Sequence, residues 1–223
     1  MNGILKAFTL PVALIIATIL LWGPFKLESF FNNPILIYWV GIIVLFAFIL
    51  QLLQNSLQWK LDSEIRFKPK HYELKLNLSI FTLLGVFISA VRCSSANFML
   101  ISNAMWPSIV GFILLFDAII FIAWSNWQFA KQFTRNNNIE AKHELITMGV
   151  YQFIRHPRDL GLIIFTVSCA LTFNSVISLL FCVLYIIVTI YRIKDEDEFL
   201  NNEFGETWIE YKNNTPALFP FIY

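Results

Sequence analysis

The chain has 223 residues, of which 57% are hydrophobic and 14% charged, and its formal net charge at neutral pH is +1. Soluble domains of this size do not carry that composition, and a mean hydropathy of +0.65 indicates an integral membrane protein. A nearly neutral chain without a basic helix is not expected to bind nucleic acid. Its three cysteines show no C-x-x-C spacing, so neither a disulfide framework nor a zinc or other metal site is expected.

Six apolar runs follow one another along the chain, and each is a candidate membrane helix. They cover residues 4–25, 34–53, 76–90, 107–124, 160–173 and 176–193. A helix needs about 20 apolar residues to cross a bilayer, and several of the runs approach that length. The WGPF sequence at 22–25 offers no small-residue cleavage site, so the first run is expected to be retained as a helix. We predict an all-α, polytopic membrane helical bundle with about six transmembrane helices.

The two parts of the chain differ in their polar content. Residues 1–127 are predicted to form four membrane helices with one hydrophilic connection at 54–75, and this part carries no recognisable chemical motif. Residues 128–223 are predicted to form a polar loop, a membrane hairpin and a C-terminal amphipathic helix.

Basic residues give the orientation of this arrangement. With six helices, all of the lysines and arginines except Lys26 and Arg92 fall on one side of the membrane. Because basic residues favour the cytosolic side, both termini and the polar clusters of residues 128–223 are expected to face the cytosol.

A cationic triplet, Arg155-His156-Pro157, opens the fifth apolar run. Proline suits the first turn of a helix, which places His156 near the cap position. A helix start also presents free N–H groups and a partial positive charge, so the triplet could bind an anion. Simple membrane anchoring by Arg155 and Arg158 is the alternative, and the residues alone leave both interpretations open.

Arg192 and a run of four acids at 195–198 follow the sixth apolar run. That run spans about 27 Å as a helix, which would bring Arg192 near the level of His156 if runs five and six form a hairpin. Arg192 and Glu196 are spaced i, i+4 and so share a helix face. Acids at a helix C-terminus oppose its dipole, which favours a role in holding a cationic ligand over a purely solvated cap.

Aromatic and aliphatic residues recur after the acids at helical spacing. Leu200, Phe204, Trp208 and Tyr211 predict an amphipathic helix that lies on the membrane surface or on the hairpin. Such a helix could exclude water from a pocket as a lid, or it could serve only as an interfacial anchor.

Several motifs follow in a fixed order over about the last 80 residues. They are the segment HELITMGVY at 143–151, Arg155-His156-Pro157, Gly161, Arg192, Glu196-Asp197, Leu200, Phe204-Gly205, Tyr211, Thr215-Pro216 and Phe219-Pro220. In order and spacing they resemble the C-terminal signature of the isoprenylcysteine carboxyl methyltransferase family.

The resemblance implies a membrane methyltransferase that uses S-adenosylmethionine, with residues 128–223 as its catalytic region. It implies that the cofactor is contacted by Asn136, His143, Glu144, Leu145, Ile146, Tyr151, His156, Pro157, Arg158, Asp159 and Glu196. It also implies that Arg192 binds the substrate, and that Arg192 and Glu196 are the catalytic residues. The family pattern normally has tyrosine where this chain has Asp159, and Trp208 replaces another common tyrosine.

The reaction implied is carboxyl O-methylation of a C-terminal prenylated cysteine, with a lipophilic substrate that enters from the bilayer among membrane lipids. S-adenosylmethionine carries charges of both signs, which the acids and the cationic helix start could complement. A terminal carboxylate, with a reference pKa of ~3.5, is ionised at neutral pH and needs no general base. Localisation in the endoplasmic reticulum is expected for a eukaryotic chain, and in the inner membrane for a bacterial one.

Three alternatives remain. One is methylation of a phospholipid amine or small thiol, for which Glu196 or Glu198 could act as a base. The others are a reductase that uses a nicotinamide cofactor and a non-enzymatic membrane scaffold.

Overall fold

The computed structural model describes residues 9–23, 27–32, 34–61, 72–135 and 145–219. The helices within these ranges are α1 (Thr9–Trp22), α2 (Leu27–Phe31), α3 (Pro34–Leu61), α4 (Tyr72–Ala96), α5 (Trp106–Arg135), α6 (Pro157–Thr172), α7 (Val176–Phe204) and α8 (Glu206–Asn214). A short 3-10 helix, Gly149–Gln152, precedes α6. The only β pairing in the described ranges is an isolated bridge between Leu100 and Ser175, so the all-α prediction is confirmed.

The apolar helices support the prediction of a membrane protein. Among the described residues, three helices are long and apolar enough to cross a bilayer: Asn77–Ala96, Trp106–Gln128 and Val176–Phe204. Pro11–Trp22 and Pro34–Ile49 are shorter apolar helices. The number of six spans, the hairpin and the orientation in the membrane stay predictions.

The chain divides into two compact units. The first consists of Met1–Phe67, Leu83–Leu115 and Thr166–Cys182, and the second of Lys68–Thr82, Phe116–Phe165 and Val183–Tyr223. The proposed boundary near residue 127 concerns function and remains a prediction.

Small polar side chains join the helices of the first unit. Trp39 of α3 is buried and donates from Nε1 to Ser168 Oγ at 3.1 Å, and Ser168 donates to the Gly111 carbonyl at 2.8 Å. Ser89 and Ser178 form a further hydroxyl pair at 2.9 Å. Such bonds satisfy polar groups between apolar helices, and small residues at these contacts allow the backbones to approach.

Close helix packing positions the start of α6 in the second unit. A Cβ atom on Gly161 would lie 2.7 Å from Ile122 Cγ1 of α5, so only glycine fits at this crossing without movement of a neighbour. Gly149, the first residue of the 3-10 helix, has φ of +69°, a left-handed conformation that glycine adopts without strain.

The structure divides the predicted C-terminal amphipathic helix. Leu200 and Phe204 belong to α7, whereas Trp208 and Tyr211 belong to α8. The break lies at Gly205, whose φ of +54° is left-handed and ends α7. As a result α7 extends beyond the predicted run at 176–193 and carries Arg192 and all four acids on one continuous helix.

Candidate functional site

The start of α6 is held by the chain segment that follows α8. Pro157 is the first residue of α6, and the His156 carbonyl accepts the N–H of Leu160 at 3.1 Å. The backbone N–H groups of Arg155 and His156 donate to the carbonyls of Pro216 and Ala217, at 2.9 and 3.0 Å. These two N–H groups are therefore engaged within the protein, and the anion site predicted at this helix start stays a prediction.

Arg155 forms the centre of a buried ion-pair network. Its Nη1 donates to both carboxylate oxygens of Asp197 at 2.9 Å, and its Nε donates to the Thr215 carbonyl at 2.9 Å. The Arg155 and Asp197 side chains are only 6% and 8% exposed. The guanidinium also lies 5.4 Å from the ring centroid of Trp208, within cation-π range. Arg155 thus joins α6, α7 and α8 instead of facing a ligand.

His156 is surrounded by carboxylates. Its Nε2 lies 3.3 Å from Asp197 Oδ1. Its Nδ1 lies 3.9 Å from Asp159 Oδ2 and 3.9 Å from Glu196 Oε2. The contact with Asp197 fixes the ring so that Nδ1 faces the other two acids.

Asp159 and Arg192 form an ion pair through Oδ1 and Nη2. The Asp159 side chain is 10% exposed and that of Arg192 20%, so solvent screens this pair only partly. Asp159 lies in the first turn of α6, where the helix dipole favours a negative charge. We refer to His156, Asp159, Arg192 and Glu196 as the charged cluster.

Glu196 is the most accessible of the three acids around His156. Its side chain is 47% exposed, against 10% for Asp159 and 8% for Asp197. The 3.9 Å contact with His156 exceeds hydrogen-bond distance, so the Glu196 oxygens keep the capacity to accept hydrogen bonds from a ligand.

The ligating atoms of His156, Asp159 and Glu196 lie within 4.8 Å of one another, a spacing that a metal ion could use. However, the Arg192 guanidinium is already paired with Asp159 and would repel a metal cation placed there. A cluster with both signs of charge is better suited to an organic ligand that also carries both signs.

Two tyrosines connect the 3-10 helix to its neighbours. The Tyr211 hydroxyl donates to the Tyr151 carbonyl at 2.6 Å, and the Tyr151 hydroxyl lies 2.9 Å from Ser125 Oγ. Burial raises the pKa of both phenols above the usual value, so each hydroxyl stays protonated at physiological pH.

The structure brings together part of the predicted site. His156, Asp159, Arg192 and Glu196 meet in the charged cluster, and Pro157 begins α6 beside them. Arg158 is exposed, and Leu145 and Ile146 are half-buried ahead of the 3-10 helix. The remaining predicted residues, Asn136, His143 and Glu144, lie outside the described residues.

Asp197 belongs to the motif, but no role could be predicted for it from the sequence. One residue after Glu196, it lies about 100° further around the helix, where it pairs with Arg155 and contacts His156 from the Nε2 side. Trp208 is 2% exposed, and its Nε1 has no hydrogen-bond partner among the described residues. Helical periodicity indicated the burial of Trp208 but could not indicate its contact with Arg155.

Comparisons with known proteins give a consistent result. A family model described as phospholipid methyltransferase matches residues 106–207. Protein-S-isoprenylcysteine O-methyltransferase A of Arabidopsis thaliana is 30% identical over 156 residues, covering 69% of this chain and 75% of that protein. Form B of the same plant is 28% identical over 158 residues, with the same coverage. The Homo sapiens protein of that name is 29% identical over 128 residues, which cover 52% of this chain and 42% of the human protein.

Proposed function

This chain belongs to the protein-S-isoprenylcysteine O-methyltransferase family, and from this premise we propose that it methylates the C-terminal carboxylate of a prenylated cysteine. The observation that carries the proposal is the pair of contacts between α7 and the start of α6. Arg192 pairs with Asp159, and Glu196 lies beside His156 one helical turn further on. Two complementary groups therefore lie next to each other. The Arg192 guanidinium suits an anionic methyl acceptor, and the accessible Glu196 carboxylate suits a cationic methyl donor.

The charged cluster fits S-adenosylmethionine. When bound, this cofactor supplies an electrophilic methyl group on its sulfonium. Glu196 would accept hydrogen bonds from its ammonium group, because the Glu196 carboxylate is accessible and retains acceptor capacity. His156 and Asp159 would line the same side, together with Leu145, Ile146, Tyr151, Pro157 and Arg158. We extend this assignment to His143 and Glu144 from the motif, and to Asn136 from the family resemblance alone.

Arg192 would bind the acceptor carboxylate. A guanidinium presents parallel N–H groups that match a carboxylate in a bidentate pair. Because such a carboxylate is ionised at neutral pH, no residue of the site would have to remove a proton from it before transfer. The residues of the site then act by aligning the two reactants and by excluding water. Trp208 and Tyr211 of α8 would contribute to that exclusion, since α8 is tied to Tyr151 and Arg155.

The membrane arrangement proposed for this reaction has about six spans, with α6 and α7 as a hairpin. The one-sided distribution of basic residues supports a cytosolic position for the charged cluster. The prenyl chain would then enter sideways from the bilayer, in the endoplasmic reticulum of a eukaryote or the inner membrane of a bacterium.

A phospholipid amine is a second candidate acceptor, because the family model that matches 106–207 is described by phospholipid methylation. An amine must lose a proton before or during transfer, and Glu196 is an accessible base for that step.

The test uses membranes that contain the chain, methyl-labelled S-adenosylmethionine, and either S-farnesyl-cysteine or a phospholipid with a primary amine. Base treatment releases volatile labelled methanol from a carboxyl methyl ester and leaves a methylamine intact. We expect base-labile label with S-farnesyl-cysteine and none without it. Base-stable label on the phospholipid would replace the first candidate by the second, and no transfer to either would remove both.

A further inference from the structure

We propose that Asp159 sets the acceptor preference of this site by competing, as an internal carboxylate, for the guanidinium of Arg192. This inference rests on the proposed function, in which Arg192 binds an acceptor carboxylate.

The Asp159 carboxylate is built into the site. The Asp159 side chain is only 10% exposed, and the first turn of α6 stabilises its negative charge. Oδ1 pairs with Arg192 Nη2, and Oδ2 lies 3.9 Å from His156 Nδ1. The Arg192 group proposed to receive the acceptor thus already holds a carboxylate from its own chain.

An anionic acceptor must share Arg192 with Asp159 or displace it. Arginine has five N–H donors, so a second carboxylate can reach the free edge of the guanidinium. Sharing places two carboxylates on one cation, with the Glu196 carboxylate already in the same cluster. Displacement leaves the buried Asp159 without its cation, which is costly. In either case, Asp159 reduces the affinity for carboxylate acceptors below what Arg192 alone would give, whereas an uncharged acceptor avoids this cost.

A purely structural ion pair would behave differently. If the pair only held α6 against α7, removing the Asp159 charge would loosen the site and weaken the binding of charged and uncharged acceptors alike. Competition for Arg192 instead predicts an effect that depends on the charge of the acceptor, and that disappears when Arg192 is removed.

The experiment compares the full-length chain with its Asp159→Asn variant in detergent. The KM of S-farnesyl-cysteine is measured together with the inhibition constant of its carboxamide analogue, which has the same lipid and no charge. We expect the KM of the carboxylate to fall about tenfold in Asp159→Asn, while the inhibition constant of the carboxamide stays unchanged. In an Arg192→Gln background, Asp159→Asn should leave the KM of the carboxylate unchanged.

The outcomes separate this inference from the proposed function. If the wild-type chain forms no base-labile ester, the proposed function fails and the inference falls with it. If ester forms but the KM of the carboxylate is unchanged or higher in Asp159→Asn, only the inference is overturned.

A wild-type measurement serves as the second test, so that a failure of the variant to fold leaves the inference falsifiable. Competition by Asp159 predicts that the dissociation or inhibition constants of the carboxylate and carboxamide analogues differ by no more than about threefold. A carboxylate bound more than about tenfold tighter than the carboxamide would overturn the inference.

Discussion

Arg155 Nη1 donates to both oxygens of the Asp197 carboxylate, at 2.9 Å each, and this pair joins the start of α6 to the C-terminal part of α7. The same Asp197 carboxylate lies 3.3 Å from His156 Nε2 and 3.3 Å from Lys212 Nζ. The buried pair therefore helps to position the charged cluster. Asp197 contacts Nε2 of His156, which leaves Nδ1 of the same ring facing Asp159 and Glu196.

Arg155→Gln should destabilise the protein strongly. The substitution leaves Asp197 buried without its main cation, and breaking a buried pair in this way costs about 3–5 kcal/mol. Thermal unfolding in detergent measures the effect. Arg158→Gln is the matched control, because Arg158 is three residues away and exposed, and we expect a change below about 0.5 kcal/mol. Equal stability of the two variants would contradict a structural role for the pair.

Gly161→Ala should weaken the contact between α6 and α5. A Cβ at residue 161 would lie 2.7 Å from Ile122 Cγ1 and 3.1 Å from the Ile122 backbone nitrogen, and overpacking of this kind costs about 1–3 kcal/mol. Gly41→Ala is the control, since a Cβ at residue 41 of α3 meets nothing within 4 Å. The control should unfold at the wild-type temperature or slightly above it, whereas a Gly161→Ala variant with wild-type stability would refute the close approach.

Tyr211→Phe should remove about 1 kcal/mol of stability at neutral pH, because it deletes the hydroxyl that donates to the Tyr151 carbonyl. Burial raises the pKa of Tyr211, so above pH ~10 the unfolded phenol ionises while the folded one remains protonated. The folded state then binds more protons than the unfolded state, and stability falls as pH rises through that range.

Unfolding measured between about pH 8 and pH 11 tests the direction of this change in stability, because that range lies on both sides of the reference tyrosine pKa of ~10. The wild-type chain should lose stability above pH ~10 more steeply than Tyr211→Phe does. Parallel pH profiles would show that the Tyr211 phenol is not buried in the folded protein.

The sequence predicted the all-helical fold and the meeting of His156 with Arg192 and Glu196, because these features follow from local patterns. Proline at a helix start, i, i+4 spacing and the length of an apolar run are all properties of short segments. For this reason the proximity of His156 and Glu196 could be anticipated on the assumption that runs five and six form a hairpin.

Features that depend on how distant segments pack against one another could not be predicted from the sequence. The role of Asp197 requires the rotation of α7 relative to Arg155, and the pairing of Arg155 and His156 with 216–217 joins segments about 60 residues apart. The pairing of Asp159 with Arg192 was also not anticipated, since the family pattern offers tyrosine at this position. Gly205 was part of a recognised motif, but its left-handed φ is visible only in the structure.

The division of labour between Arg192 and Glu196 is the central feature of the proposed site. The direct measurement is the KM of S-adenosylmethionine and of S-farnesyl-cysteine for Arg192→Gln and Glu196→Gln. Lys194→Gln and Glu203→Gln serve as controls, because both residues are exposed on the same helix. We expect Arg192→Gln to raise the acceptor KM at least about tenfold with little change for the cofactor, and Glu196→Gln to do the reverse. Equal losses for both reactants in both variants would contradict these roles.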